Sequence, residues 1–91
     1  MSQQAIVNPD DVLKFRTHLK NYTEELRNKS SSLRGQLKQL GETWRDHEHA
    51  KFRQEFEQTM KAIQKFLEAT NQYIPFLERK AAAAKTYLET R

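Results

Sequence analysis

Apolar side chains return every three or four positions along almost the whole chain, and that period suits helices rather than strands. The first row reads Val12, Phe15, Leu19, Tyr22, Leu26, Leu33, Leu37, Leu40 and Trp44, with Ser30 as its one polar member. Its steps are 3, 4, 3, 4, 4, 3, 4, 3 and 4, a helical seam, whereas a half-buried strand would alternate at every second residue. The doubled step at Leu26–Ser30 is a stutter, which locally relaxes a left-handed supercoil, and the Ser30-Ser31-Ser32 run coincides with it. Because the seam resumes in phase at Leu33, the serines read as a weak point inside one helix. The second row is Phe52, Phe56, Met60, Ile63, Leu67, Thr70, Ile74, Leu77, Ala81, Ala84 and Leu88, with steps averaging 3.6 residues.

Local signals set the ends of these rows. Asn8 is a good N-cap, Pro9 suits the first helical position, and Asp10 and Asp11 face the positive end of the macrodipole. Gly41 can end the first helix, and Thr43 or Asp46 can cap the next. The expected organisation is one domain over 1–91: an arm at 1–8, a helix at 9–42, a connection at 43–46 and a helix at 47–89. Pro75 falls inside the second helix, removes a backbone hydrogen bond and biases Ile74 away from helical angles. The seam nevertheless keeps its register across it, so a kinked helix is expected in preference to two separate ones. At 1.5 Å per residue the helices are about 50 and 65 Å long, and so short a connection makes them antiparallel neighbours. The surplus length of the second helix, around Ala81–Ala84, then projects past the first, where Ala5-Ile6-Val7 is expected to fold back over it.

Composition agrees with this all-α reading and adds a shortage. Two glycines and two prolines in 91 residues are too few for a turn-rich β fold, and a nucleotide-binding βαβ unit needs glycine turns. Only 36% of residues are hydrophobic against 31% charged, a thin core for a hairpin with no cysteine to staple it. The second helix also carries an apolar line beside its seam: Ala62, Phe66, Ala69, Tyr73, Phe76, Ala83 and Tyr87, interrupted by Lys80. One partner helix cannot cover both lines. Phe66, Tyr73 and Phe76 are therefore the expected dimer or partner face, giving a four-helix bundle.

Chemistry is sparse. His47 and His49 lie two apart on a helix and point in different directions, so His47-Glu48-His49 is read as solvated first-turn residues and no metal site is expected. His18 stands alone. Glu24, Glu25, Glu55 and Glu57 lack an apolar cleft and read as outer-face charges. No phosphate loop and no nucleophile–histidine–acid set is recognisable, so neither catalysis nor a cofactor is expected. The net charge is +4, and Arg16, Lys20, Arg27, Arg34 and Lys38 lie roughly along one side of the first helix, a track for phosphates or anionic lipid. Glu24 and Glu25 interrupt it and no aromatic is interleaved for base stacking, which favours a solvated helix face over nucleic-acid binding. No run of about twenty apolar residues is present to span a membrane, and the N-terminus lacks the pattern of a cleavable signal peptide.

The connection Leu40-Gly41-Glu42-Thr43-Trp44-Arg45-Asp46, with Phe52 eight places after the tryptophan, resembles the Trp-x-Gly hairpin of the WXG-100 family. These are early-secreted-antigen-like proteins of type VII secretion. The resemblance covers nearly the whole chain: two long helices, a tryptophan near the midpoint and no cysteine. It implies an antiparallel hairpin that pairs into a four-helix dimer, with itself or with a related hairpin. The implied role is non-enzymatic: secretion substrate, adaptor or co-secreted partner, working with a secretion ATPase or a toxin. Such a protein is cytoplasmic, or secreted without a cleavable signal. By position Trp44 matches the family tryptophan, Phe52 the hydrophobic residue after it, and Asp46 stands in place of the glycine, together forming the hairpin tip. Asp46 suits that place because aspartate tolerates left-handed angles and caps helices. The family's C-terminal tyrosine with an acid four places later is absent, since Tyr87 is followed by Arg91 and Tyr73 by Leu77. Two other readings stay open on the residues alone: a basic module for nucleic acid or anionic membrane, and a needle-type hairpin subunit of a type III apparatus.

Overall fold

The computed structural model describes residues 7–90, which form two helices, α1 Pro9–Leu40 and α2 His47–Thr90. They pack as an antiparallel hairpin measuring 67 × 25 × 14 Å, one layer of helices thick. The all-α architecture read from the seams is therefore the observed one. Asn8 caps α1: its Oδ1 accepts from the backbone N–H of Asp10 at 2.8 Å and of Asp11 at 3.3 Å. The α2 helix runs unbroken through Pro75. The expected contact of Ala5-Ile6 with Ala81–Ala84 lies outside the described residues.

The seam of α2 is regular. Met60, Leu67, Thr70 and Ala81 are buried, with Phe56, Ile63, Ile74, Leu77 and Ala84 half-buried between them. Thr70 is 2% exposed, and its hydroxyl donates to the Leu67 carbonyl at 2.6 Å, so it leaves no unsatisfied donor in the core. From Phe56 to Ala84 the steps strictly alternate between four and three. The ends of the row, Phe52 and Leu88, are partly exposed instead.

In α1 the packing departs from the expected row. Phe15 and Tyr22 are 56% and 55% exposed, and Leu33 and Leu40 are also exposed. The places of Phe15 and Tyr22 along the contact line are taken by Arg16, half-buried, and Thr23, buried. The inward residues become Val12, Arg16, Leu19, Thr23, Leu26, Ser30 and Leu37. This set has steps of four and three through Ser30 and a full seven to Leu37, so the stutter disappears. The cause lies in α2. A helix facing a strict 3.5-residue seam must repeat at the same period to stay in contact, and the row through Phe15 and Tyr22 breaks that period. Polar residues fill the vacated places because each is accommodated. Thr23 donates to the Lys20 carbonyl at 2.7 Å, and the Arg16 guanidinium ion-pairs with Glu78.

Candidate interaction site at the hairpin tip and flank

The connection is wound tightly. Gly41 N–H donates to Leu37 O, Glu42 N–H to Gln39 O, and the N–H groups of Thr43 and Trp44 both donate to Leu40 O, at 2.9–3.2 Å. No described residue has a positive φ, and Gly41 itself is right-handed at φ −66°, ψ −13°. Gly41 is therefore not a left-handed cap. It is small because His49 sits against it: a Cβ there would meet His49 Cε1 at 3.2 Å and the Lys38 carbonyl oxygen at 3.3 Å.

Asp46, expected in place of a motif glycine, makes the same point. Left-handed backbone is not used at this position; the carboxylate caps α2 instead, its Oδ1 accepting from the His49 backbone N–H at 3.0 Å. Trp44 is half-buried and stands edge-on to the His49 ring, with centroids 4.9 Å apart. Phe52 follows at 6.1 Å from Trp44, and Phe56 at 6.1 Å from Phe52. The structure thus brings Trp44, Asp46 and Phe52 to one corner, but it adds a residue that the sequence reading placed in solvent. His49 is only 8% exposed, wedged between Trp44 and Gly41, and its Nε2 is buried without a hydrogen-bond partner among the described residues. The spacing signal was available: Trp44 and His49 are five apart across a capped turn, and Gly41 is one of only two glycines in the chain.

The two sides of the hairpin differ in kind. Phe15, about 100° around the helix from Arg16 on the contact line, stands to one side of that line, and the Arg16 guanidinium reaches Glu78 toward the other. On the Arg16 side run the ion pairs: Arg16 with Glu78, and Arg34 Nη1 with Glu57 at 3.1 Å. These contacts take two of the five cations of the α1 track. On the other side Tyr22 meets Phe66 edge-on across the two helices, with centroids 6.1 Å apart. Phe15 lies seven residues before Tyr22 and Tyr73 seven after Phe66, so each repeats its neighbour's face two turns along. Phe52 and Tyr87 fall in the same heptad row as Phe66. Phe66, Tyr73 and Phe76 are all exposed, Phe76 at 57%. The contribution of α1 to this flank, Phe15 and Tyr22, was missed because both fitted the apolar row assigned to the hairpin's own core.

A long two-helix hairpin with a tryptophan in a tight connection is also what comparison with known proteins finds. The family model described as proteins of 100 residues with WXG matches residues 4–89. The chain belongs to the WXG100 family. WXG100 proteins are helical hairpins associated with type VII secretion, generally without enzymatic activity, and they typically pair with similar hairpins. No curated protein and no solved structure gives a significant match. No described helix is long and apolar enough to cross a membrane. At the place where the sequence comparison expects the motif glycine, Asp46 caps the following helix.

Proposed function

We propose that this WXG100 protein is a pairing module of a type VII-like secretion system, serving as substrate, adaptor or co-secreted partner. Its binding face is the aromatic flank, and its first partner is a second copy of itself. One observation carries the reading: the hairpin places Arg16, Thr23 and Ser30 along its own contact line while leaving Phe15, Tyr22, Phe66, Tyr73 and Phe76 exposed on one side. For an isolated hairpin that arrangement is costly, since covering the exposed half of each ring is worth about 1 kcal/mol. A layer 14 Å thick has no second layer of its own to supply the cover. A contiguous apolar face of this extent marks an interaction surface, and stacking two such layers produces the four-helix bundle.

Trp44, Asp46 and Phe52 hold the tip that fixes the two helices in register, and Phe66, Tyr73 and Phe76 with Phe15 and Tyr22 form the pairing face. Light scattering tests this. The wild-type chain is expected at twice its 10.8 kDa mass, and Phe76→Glu is expected at the monomer mass. A wild-type monomer that doubles only on adding a related hairpin would replace the second copy by that relative. An undisturbed dimer of Phe76→Glu would refute the assigned face. Export from a type VII-competent cell then separates a substrate, which appears outside, from an adaptor, which stays within.

A further inference from the structure

The flank opposite the aromatics carries a second feature, independent of pairing. At the tip an open groove of about 820 Å³ runs between the end of α1 and the start of α2, floored by Leu37 and Phe56 and rimmed by Lys38, Arg45 and Arg53. Of its other charges, Arg34 is neutralised by Glu57, and Asp46 is engaged at the α2 N-terminus, which leaves Glu42 as the acid without a described partner. Lys38, Arg45 and Arg53 form no ion pair among the described residues. His49 also lines the groove, with its buried Nε2 lacking a partner. Gly41 packs closely against that ring, since a Cβ there would stand 3.2 Å from Cε1 and 3.3 Å from the Lys38 carbonyl oxygen.

We propose that this groove binds an acidic segment of a partner protein, with its carboxylates against the Lys38, Arg45 and Arg53 rim and an apolar side chain resting on Leu37 and Phe56. The apolar floor favours a peptide over an inorganic anion or a nucleic-acid strand, because neither of those has aliphatic side chains to bury there. Of the aromatic residues that line the groove, His49 is buried and Phe56 half-buried, so neither stands out as a platform on which successive bases could stack. The groove shares the flank of the Arg34–Glu57 pair, so it stays open when the aromatic flank is covered.

Trp44, the single tryptophan of the chain and in contact with His49, reports on the site by its fluorescence. The full chain is titrated with a blocked hexapeptide alternating glutamate and leucine, with its lysine–leucine counterpart, and with a short single-stranded oligonucleotide. A saturable response to the acidic peptide alone is expected. It should weaken by about tenfold or more in the Lys38→Glu/Arg53→Glu double variant, since opposed charges at a rim set affinity and rate. Phe76→Glu, which disrupts pairing only, is expected to leave it unchanged. No saturable response, an equal response to the lysine peptide, tighter binding of the oligonucleotide, or full affinity in the double variant would each overturn the proposal.

Discussion

At the scale of single residues, the structure turns on a few polar side chains in apolar places. Asp46 is the clearest. Its carboxylate satisfies an N–H that the first turn of α2 would otherwise leave open, so Asp46→Ala should cost about 1 kcal/mol, measured by urea unfolding at fixed protein concentration. Asp46→Gly, which restores the family motif, should cost less, because glycine is itself an acceptable cap residue. Arg16 is a different case. Its guanidinium ion-pairs with Glu78, but its Nε is buried with no partner. Arg16→Met keeps the length of the side chain and removes the orphaned donor, while Glu78 remains half exposed to water. That substitution should be neutral or stabilising by up to about 1 kcal/mol. A loss larger than 1 kcal/mol would show that the ion pair outweighs the buried donor.

At the scale of helices, the two seams had to agree with each other, and this is where reading one helix at a time fell short. The α2 seam from Phe56 to Ala84 was legible because its apolar residues and its contact line coincide. In α1 they do not. Phe15 and Tyr22 are the larger apolar residues, but only the row through Arg16, Thr23 and Ser30 keeps the 3.5-residue repeat that α2 imposes. Apolar identity at 15 and 22 therefore misplaced both residues in the hairpin's own core, where the structure leaves them exposed. His49 escaped for a related reason: at the tip, burial is decided by how the connection folds over Gly41, which helical periodicity does not encode. Pro75 lies inside α2. Its missing N–H leaves the Asn71 carbonyl without its usual partner, so Pro75→Ala should stabilise the hairpin by about 1–3 kcal/mol, seen as a higher midpoint in thermal circular dichroism. A lower midpoint would mean that packing of α2 depends on the proline's local geometry.

At the scale of the whole molecule, the shortage of apolar residues is resolved by division of labour. One set closes the hairpin, helped by small polar residues and cross-helix ion pairs. The other set is held in reserve on a single flank, while the opposite flank at the tip keeps a basic groove. On the proposed function, the hairpin is a two-sided layer whose folding and pairing draw on different residues. Surface apolar-to-charged changes on the aromatic flank should therefore abolish pairing with little loss of helix content, whereas Leu67→Ala, in the buried seam, should lose about 2–5 kcal/mol of stability. The most direct test is the solution mass of Phe76→Glu beside wild type by light scattering, with helicity monitored in parallel. A wild-type dimer of 10.8 kDa chains and a fully helical Phe76→Glu monomer are predicted; a Phe76→Glu protein that remains dimeric would contradict the claim that this flank is the pairing face.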